Sequence, residues 1–466
     1  MRYTLRSSTS QLYILSLVGL CGPGMMFALI SLGSATEKSP DPDNMFEINL
    51  TLIISSVLTG LFSFLGCNIL HRIGVRLCMF FSCIFMSVYS FAYAYRYIAD
   101  IDDPPIALSI VSAALMGIGV GVFFSVQTTI NIKYPHEEVR GRYLTIFAAL
   151  FNLGGMLGGI IQFSLNYQDG ENTGLSNYTY LSLGIVQVFG AFISLALVSP
   201  TKVKRDDNTV VMSHSADPIL KELLKTVKHF VSKWALLFAV PYLVSHIGFA
   251  YTSNILNGAV FDARTRGFNN IFFWLSKTFG TALLGFILDY VKWSRRRRDI
   301  IVVAILTLAS NGVWVGGIFD QKRLFPSGQI NQFHDNVLDY TDSAAAPTIA
   351  LYALYGLFIG IFDTCLMWFI SLLSDDFDVT GRNVSVFRGL QAFGSAISWA
   401  MVNNMPISAL CYTNWGLVLL SLCPLLYFAL VILRNSTIPS EYDVDMEFAE
   451  LRSPAYTNKA SSEYYI

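Results

Sequence analysis

Gly141-Arg-Tyr-Leu-Thr-Ile-Phe-Ala-Ala-Leu-Phe-Asn-Leu-Gly-Gly155 returns about 240 positions later as Gly381-Arg-Asn-Val-Ser-Val-Phe-Arg-Gly-Leu-Gln-Ala-Phe-Gly-Ser395, with Gly, Arg, Phe, Leu and Gly at the same internal spacing. A second set repeats at almost the same offset, Gly117, Gly121 and Phe123 against Gly356, Gly360 and Phe362. The chain is two copies of one design. Its 466 residues are 53% hydrophobic and 14% charged, with a mean hydropathy of +0.51. Soluble domains carry about 25% charge, so the composition points to a membrane. The net charge of −1 gives no bulk attraction to nucleic acid. The seven cysteines, Cys21, Cys67, Cys78, Cys83, Cys365, Cys411 and Cys423, all fall in apolar runs and read as small buried hydrophobes, with neither disulfide nor zinc spacing.

Apolar runs of about 20 residues, the length that spans a bilayer, recur near 11–33, 48–70, 77–97, 106–129, 143–166, 178–198, 231–256, 268–291, 299–318, 346–371, 384–405 and 407–433. They predict an all-α membrane protein of twelve transmembrane helices in two pseudo-symmetric six-helix halves, 1–198 and 230–433. A polar linker, 199–229, joins the halves; it contains an amphipathic stretch from Asp217 to His229. An acidic tail at 434–466 has the composition of a disordered segment. The first run, broken by Gly19, Gly22, Pro23 and Gly24, is read as a retained helix rather than a signal peptide. The boundary most open to miscounting lies at Asn403 to Pro406, where the last two runs nearly touch. Lys and Arg fall roughly four to one on the side shared by both termini, which predicts that linker and termini are cytoplasmic. Asn49 and Asn177 then head glycosylation sequons on the outer side.

Two six-helix halves in the same orientation are the parallel-repeat arrangement of major facilitator proteins, with a site near the midplane between the halves. His71-Arg72-Ile-Gly74-Val-Arg76 resembles the superfamily's tight cytoplasmic loop, with His where an acid usually stands. Gly285, Asp289 and Arg295 to Arg298 form a looser copy. Such a loop holds helix ends: Gly74 permits the turn, and arginines can take acids or C-terminal carbonyls.

More closely, the chain resembles the uncoordinated-93-like (UNC-93-like) branch of that superfamily, its fungal members in particular. The resemblance rests on Cys21-Gly-Pro-Gly-Met25, Asn68-Ile-Leu-His-Arg-Ile-Gly74, Gly141-Arg142-Tyr143 with Phe151-Asn-Leu-Gly-Gly155, and Tyr251 to Asn254. Phe261, Arg264-Thr-Arg266, Asn269, Trp274, Phe362-Asp363, Trp368 and Gly389-Leu-Gln391 complete it. It implies a transporter fold whose members mostly have unassigned substrates; some animal relatives look like channel regulators or trafficking partners. Two functions follow as expectations. One is a secondary carrier of a small solute or ion by alternating access. The other is a transporter-like regulatory subunit for a channel or another membrane protein. No phosphate-binding glycine loop and no cofactor or metal motif supports ATP-driven transport or enzymatic catalysis.

Asp363 and Lys277 are the charges deepest in apolar runs, each costing about 2.5–3.5 kcal/mol at a helix centre even on insertion scales. They read as a coupling carboxylate with its counter-charge, or equally as a structural ion pair. A rise of about 1.5 Å per residue sets them about 9 Å apart in depth. Asn254, Asn257, Asp262, Arg264, Arg266 and Asn270 gather at the outer ends of the seventh and eighth helices, as a gating collar or a self-satisfied loop network. Asn152, Gln162, Arg388 and Gln391 are candidates for lining a cavity, and His246 reads as a packing residue. Gly154, Gly155, Gly158 and Gly159 let another helix approach closely, as a sliding seam or equally as fixed tight packing; the superfamily resemblance implies the eighth helix there, with Gly280 and Gly285 as its opposing surface.

Overall fold

A computed structural model describes residues 5–32, 42–98, 106–135, 140–168, 175–204, 224–225, 228, 230–290, 295–326, 337–373 and 377–432. Among them run twelve long helical segments: α1 Ser8–Ile30, α2 Pro42–Ile73, α3 Val75–Ile98, α4 Ile106–Lys133, α5 Arg140–Leu165, α6 Asn177–Ser194, α7 Lys233–Gly258, α8 Ala263–Tyr290, α9 Arg295–Leu324, α10 Ala346–Ser371, α11 Phe377–Asn404 and α12 Ile407–Val431. Ten are long and apolar enough to cross a membrane. The other two, α6 and α11, carry polar residues that turn inward, Gln187 and Gln391 among them. On α6 the outward face is Ile185, Phe189 and Phe192, as a lipid-facing helix requires. The doubtful junction resolves cleanly: α11 ends at Asn404 and Pro406 caps α12. Several helices outrun their apolar cores, α2 by starting at Pro42 and α11 at Phe377, because polar residues continue a helix beyond the hydrocarbon. The amphipathic stretch from Asp217 lies almost wholly outside the described residues, and the tail from 434 entirely so.

Local signals set the helix starts. Ser7 accepts from Ser10 N at 3.2 Å before α1, and Ser232 accepts from Ala235 N at 3.3 Å before α7, so the first helix of each repeat has a serine cap. Both helices contain a π-helical turn, Leu20–Gly24 around Pro23 and Thr252–Gly258, a feature frequent at functional sites. Gly74 alone turns α2 into α3, with φ +86°, and Arg76 Nε donates to Leu197 O just past α6 at 2.9 Å. In the second copy, Arg298 reaches Leu288 O at 2.9 Å. Gly285 lies inside α8 rather than at its turn, so it does not repeat the role of Gly74; the side chain of Asp289 is outside the described residues, as are those of Arg142 and Arg295.

The repeat is carried into packing. In the first half Gly117 and Gly121 of α4 lie against the carbonyls of Ser55 and Thr59 on α2; in the second, Gly356 and Gly360 of α10 lie against those of Phe273 and Lys277 on α8. A methyl group at any of the four would collide with backbone. Two seams join the halves. In one, Gly60 of α2 takes the Phe393 ring and Gly389 of α11 takes the Phe64 ring. In the other, α5 meets α8: Gly155 faces the Trp274 ring, Gly159 faces Ile271 and Gly267 faces Phe163. Only two of the four α5 glycines therefore serve this seam, since Gly154 and Gly158 face Leu20 and Ala28 of α1. The opposing glycine is Gly267. Gly280 packs on Leu357 of α10, and Gly285 has nothing within 4 Å.

Gly267→Ala drives a Cβ into the Phe163 backbone, and the expected cost is about 1–3 kcal/mol. Gly285→Ala meets open space and gains helix propensity. Thermal unfolding in detergent should show the first variant below wild type and the second at or above it.

Candidate functional site

A cavity of about 230 Å³ lies between the halves, lined by α1, α2, α4, α5, α7, α8, α10 and α11. One wall is aromatic, with Phe27, Phe124, Phe147, Phe151, Phe249 and Trp399; another, on α2, carries Ser55, Ser56, Thr59 and Ser63. Within it sits a charged cluster. Asp363 Oδ2 lies 3.4 Å from Lys277 Nζ and 3.7 Å from His246 Nε2, while Asp363 Oδ1 accepts from Gln391 Nε2 at 3.1 Å. Gln391 also donates to Ser245 Oγ at 3.0 Å and accepts from Arg388 at 2.7 Å. The Lys277 ammonium lies 5.1 Å from the centre of the Trp274 ring, and Arg388 lies over Phe124 and Phe387 at 5.2 and 4.9 Å, geometry that stabilises a desolvated cation.

Asp363 and Lys277 are in direct contact, by the side-chain reach that their difference in depth requires. A separation of about 9 Å along parallel axes closes to contact because α8 and α10 pack glycine to carbonyl at Gly360 and Lys277, and a long lysine side chain spans the remainder. His246, read from sequence as a packing residue, belongs to the same cluster. Asn152 is buried with its Oδ1 unpartnered at the cavity wall. The hydroxyl face of α2 escaped the sequence reading, although Ser55, Thr59 and Ser63 recur at helical spacing within an apolar run.

Beyond the cavity, at the end of the bundle opposite Gly74, a polar layer closes the gap between the halves. Asn270 of α8 donates to Gln162 Oε1 on α5 at 2.8 Å and to Ala28 O on α1 at 3.1 Å, and accepts from Ser31 Oγ at 2.8 Å. Asn257 donates to Ser31 O at 3.2 Å and accepts from Asn269 at 3.0 Å; Tyr352 OH donates to Ser31 O at 3.2 Å. Asn254 donates to Asn49 Oδ1 at 2.9 Å, and Asn49 in turn reaches Asn403 at 2.5 Å. So Gln162 belongs to this seal rather than to the cavity, and the sequon residue Asn49 is buried inside it. Arg266 folds back onto Phe261 O at 2.7 Å. Asp262 caps α8 through Thr265 N at 2.8 Å, and burial pushes its carboxyl up. Arg264 is drawn outward to Asp339 at 2.7 Å, away from the cavity.

Towards the other end the cavity lining reaches Gln127, Leu144 and Met367, within about two turns of their helix ends. The close α5–α8 approaches lie on the sealed side, and a Cβ at Gly285 would meet nothing within 4 Å among the described residues of other elements. The polar layer closes the cavity at one end, and its lining extends towards the end that carries Gly74.

Twelve helical segments, ten of them long and apolar enough to cross a membrane, surround a cavity with a charged cluster between the halves, as in a multi-pass membrane transporter. The chain belongs to the Major Facilitator Superfamily, whose family model matches residues 12–399. It is 27% identical to UNC93-like protein 1 of Arabidopsis thaliana over 95% of this chain and 94% of that one, and 28% identical to an UNC93-like protein of Schizosaccharomyces pombe over 88% and 80%. The resemblance read from the sequence is borne out. Among solved structures it matches the xylose transporter XylE from E. coli in a partially occluded inward open conformation, with a TM-score of 0.60 at 14% identity, covering 92% of this chain and 99% of that one. A D-xylose-proton symporter matches with a TM-score of 0.56 at 12% identity, covering 90% and 95%. These two share the fold.

Burial favours the neutral form of Asp339, but hydrogen bonds from Thr341 and Arg264 outweigh it and hold the carboxyl at about 2. A carboxyl depressed in the folded state contributes stability above its unfolded value, about 3.9, and loses it as pH falls towards 2. Between pH 4 and 2 the melting temperature of wild type should fall more steeply than that of Asp339→Asn.

Proposed function

We propose that the protein is a secondary carrier in which the halves 1–198 and 230–433 rock about the α5–α8 and α2–α11 seams, with Asp363 as the coupling carboxylate. The observation that carries this is Asp363 meeting Lys277, His246 and Gln391 at the wall of a cavity between the halves. Ionisable residues inside a membrane bundle face a cavity, pair with one another and mark ion pathways or proton relays. Ionised Asp363 holds Lys277; a proton arriving at Asp363, relayed by His246, frees the ammonium towards the cavity. Glycine seams suit the motion, because smooth surfaces slide with few side chains to repack. The basic end that carries Gly74, Arg76 and Arg298 faces the cytoplasm in this reading, the closed polar layer faces outward, and both termini and the linker at 199–229 are cytoplasmic. The Asn270–Gln162–Ser31 layer is the outer gate.

Proteoliposomes offered ions, amino acids, sugars and organic acids across a proton gradient provide the test. Gradient-driven accumulation by wild type should be lost in Asp363→Asn, with the elution profile and melting temperature of a folded protein. Unchanged accumulation in that variant would remove Asp363 from coupling. Folded protein that moves nothing in the panel would turn the reading to an accessory subunit.

A further inference from the structure

The cavity has an unequal charge balance. Among the described residues that line it, Lys277 and Arg388 are cations, Asp363 is the one carboxylate, and His246 is the further titratable group. Asp363 is already engaged, by Lys277 at 3.4 Å and by Gln391 at 3.1 Å. Arg388 shares that carboxylate only at longer range, through Gln391, and has no carboxylate of its own in direct contact. Its hydrogen-bond partner is the neutral Gln391 carbonyl at 2.7 Å, its Nε is buried without a partner, and no carboxylate lies within 4.0 Å of it among the described residues. A guanidinium stays charged at any physiological pH, and two buried cations that share one carboxylate leave a net positive charge that is costly to bury. Phe124 and Phe387 flank the group with π-faces, which orient it but supply no negative charge.

We propose that this site binds a small organic monoanion, with its carboxylate on Arg388 and an apolar or aromatic body against Phe124, Phe151 and Trp399. This rests on the carrier reading above and names its substrate class. A guanidinium fork matches a carboxylate in two parallel hydrogen bonds, and one negative charge balances the cavity. The hydroxyls of Ser55 and Thr59 face the same space and suit a ligand that also carries hydroxyl groups. Gln391 links the two functions. Its carbonyl accepts from Arg388 and its amide donates to Asp363, so an anion that draws Arg388 away frees the Gln391 carbonyl and alters the hydrogen bonding of the coupling carboxylate.

Benzoate, benzamide and benzylamine share a ring and differ in charge, which makes them the probes. With purified full-length protein, benzoate should raise the melting temperature in a concentration-dependent way, and the amide and amine should not. Arg388→Gln should weaken the benzoate response about 30-fold or more, the effect of truncating one partner of a buried charge pair, while Arg388→Lys, which keeps the charge, should retain part of it. Both variants are compared at matched elution profiles, so a folding defect is seen as such. An equal shift with benzamide or benzylamine, an unchanged benzoate response in Arg388→Gln, or no response to benzoate and its hydroxylated analogue salicylate would overturn the proposal. A response to inorganic phosphate that exceeds the one to benzoate would also overturn it, by assigning the site to inorganic anions. Flux separates this from the broader reading. Benzoate that binds without crossing proteoliposomes leaves the anion site standing and removes the carrier. Uptake of a neutral solute that Asp363→Asn abolishes keeps the carrier and removes the anion.

Discussion

A lysine and an aspartate 3.4 Å apart, inside a bundle whose outer surface is Leu, Ile and Phe, set the terms for everything around them. Either charge alone would be costly at that depth, and removal of one partner strands the other. The pair is held by close helix packing in the second half: Gly360 of α10 lies on the Lys277 carbonyl, and three residues further along Asp363 meets the lysine's other end. Backbone contact thus fixes the height of the pair, and the Trp274 face and the Gln391 amide fix its orientation.

The repeat shows where chemistry was added to a common frame. Thr59 in the first half occupies the place of Lys277 in the second, since each offers its carbonyl to a matching glycine, Gly121 or Gly360. The first half keeps hydroxyls and aromatic rings at the cavity; the second carries Asp363, Lys277, His246 and Arg388. Shape comes from both halves, charge from one.

Much of this was legible in the chain. Twelve apolar runs, paired Gly-Arg segments and Gly74 follow from length, repetition and turn chemistry, which are local properties, and the family resemblance ran the same way. The register between helices was less accessible. Gly280 and Gly285 looked like the counterpart of the α5 glycines, yet Gly267 holds that place, because which face meets which neighbour depends on crossing angles that no single helix encodes. His246 fails for the same reason: alone in its helix it looks like packing, and only the approach of α10 gives it a carboxylate. Gln162 looked like a cavity residue since sequence gives its helix but not how deep the space between helices extends.

Asn49 carries a consequence for biosynthesis. It lies in a glycosylation sequon, yet its amide is spent on Asn254 and Asn403 within the closed layer between the halves. Sugar transfer acts on a nascent chain before such halves meet. A glycan attached at that stage would stand between α2 and α7 as a permanent wedge, leaving a carrier able to open on that side and unable to shut.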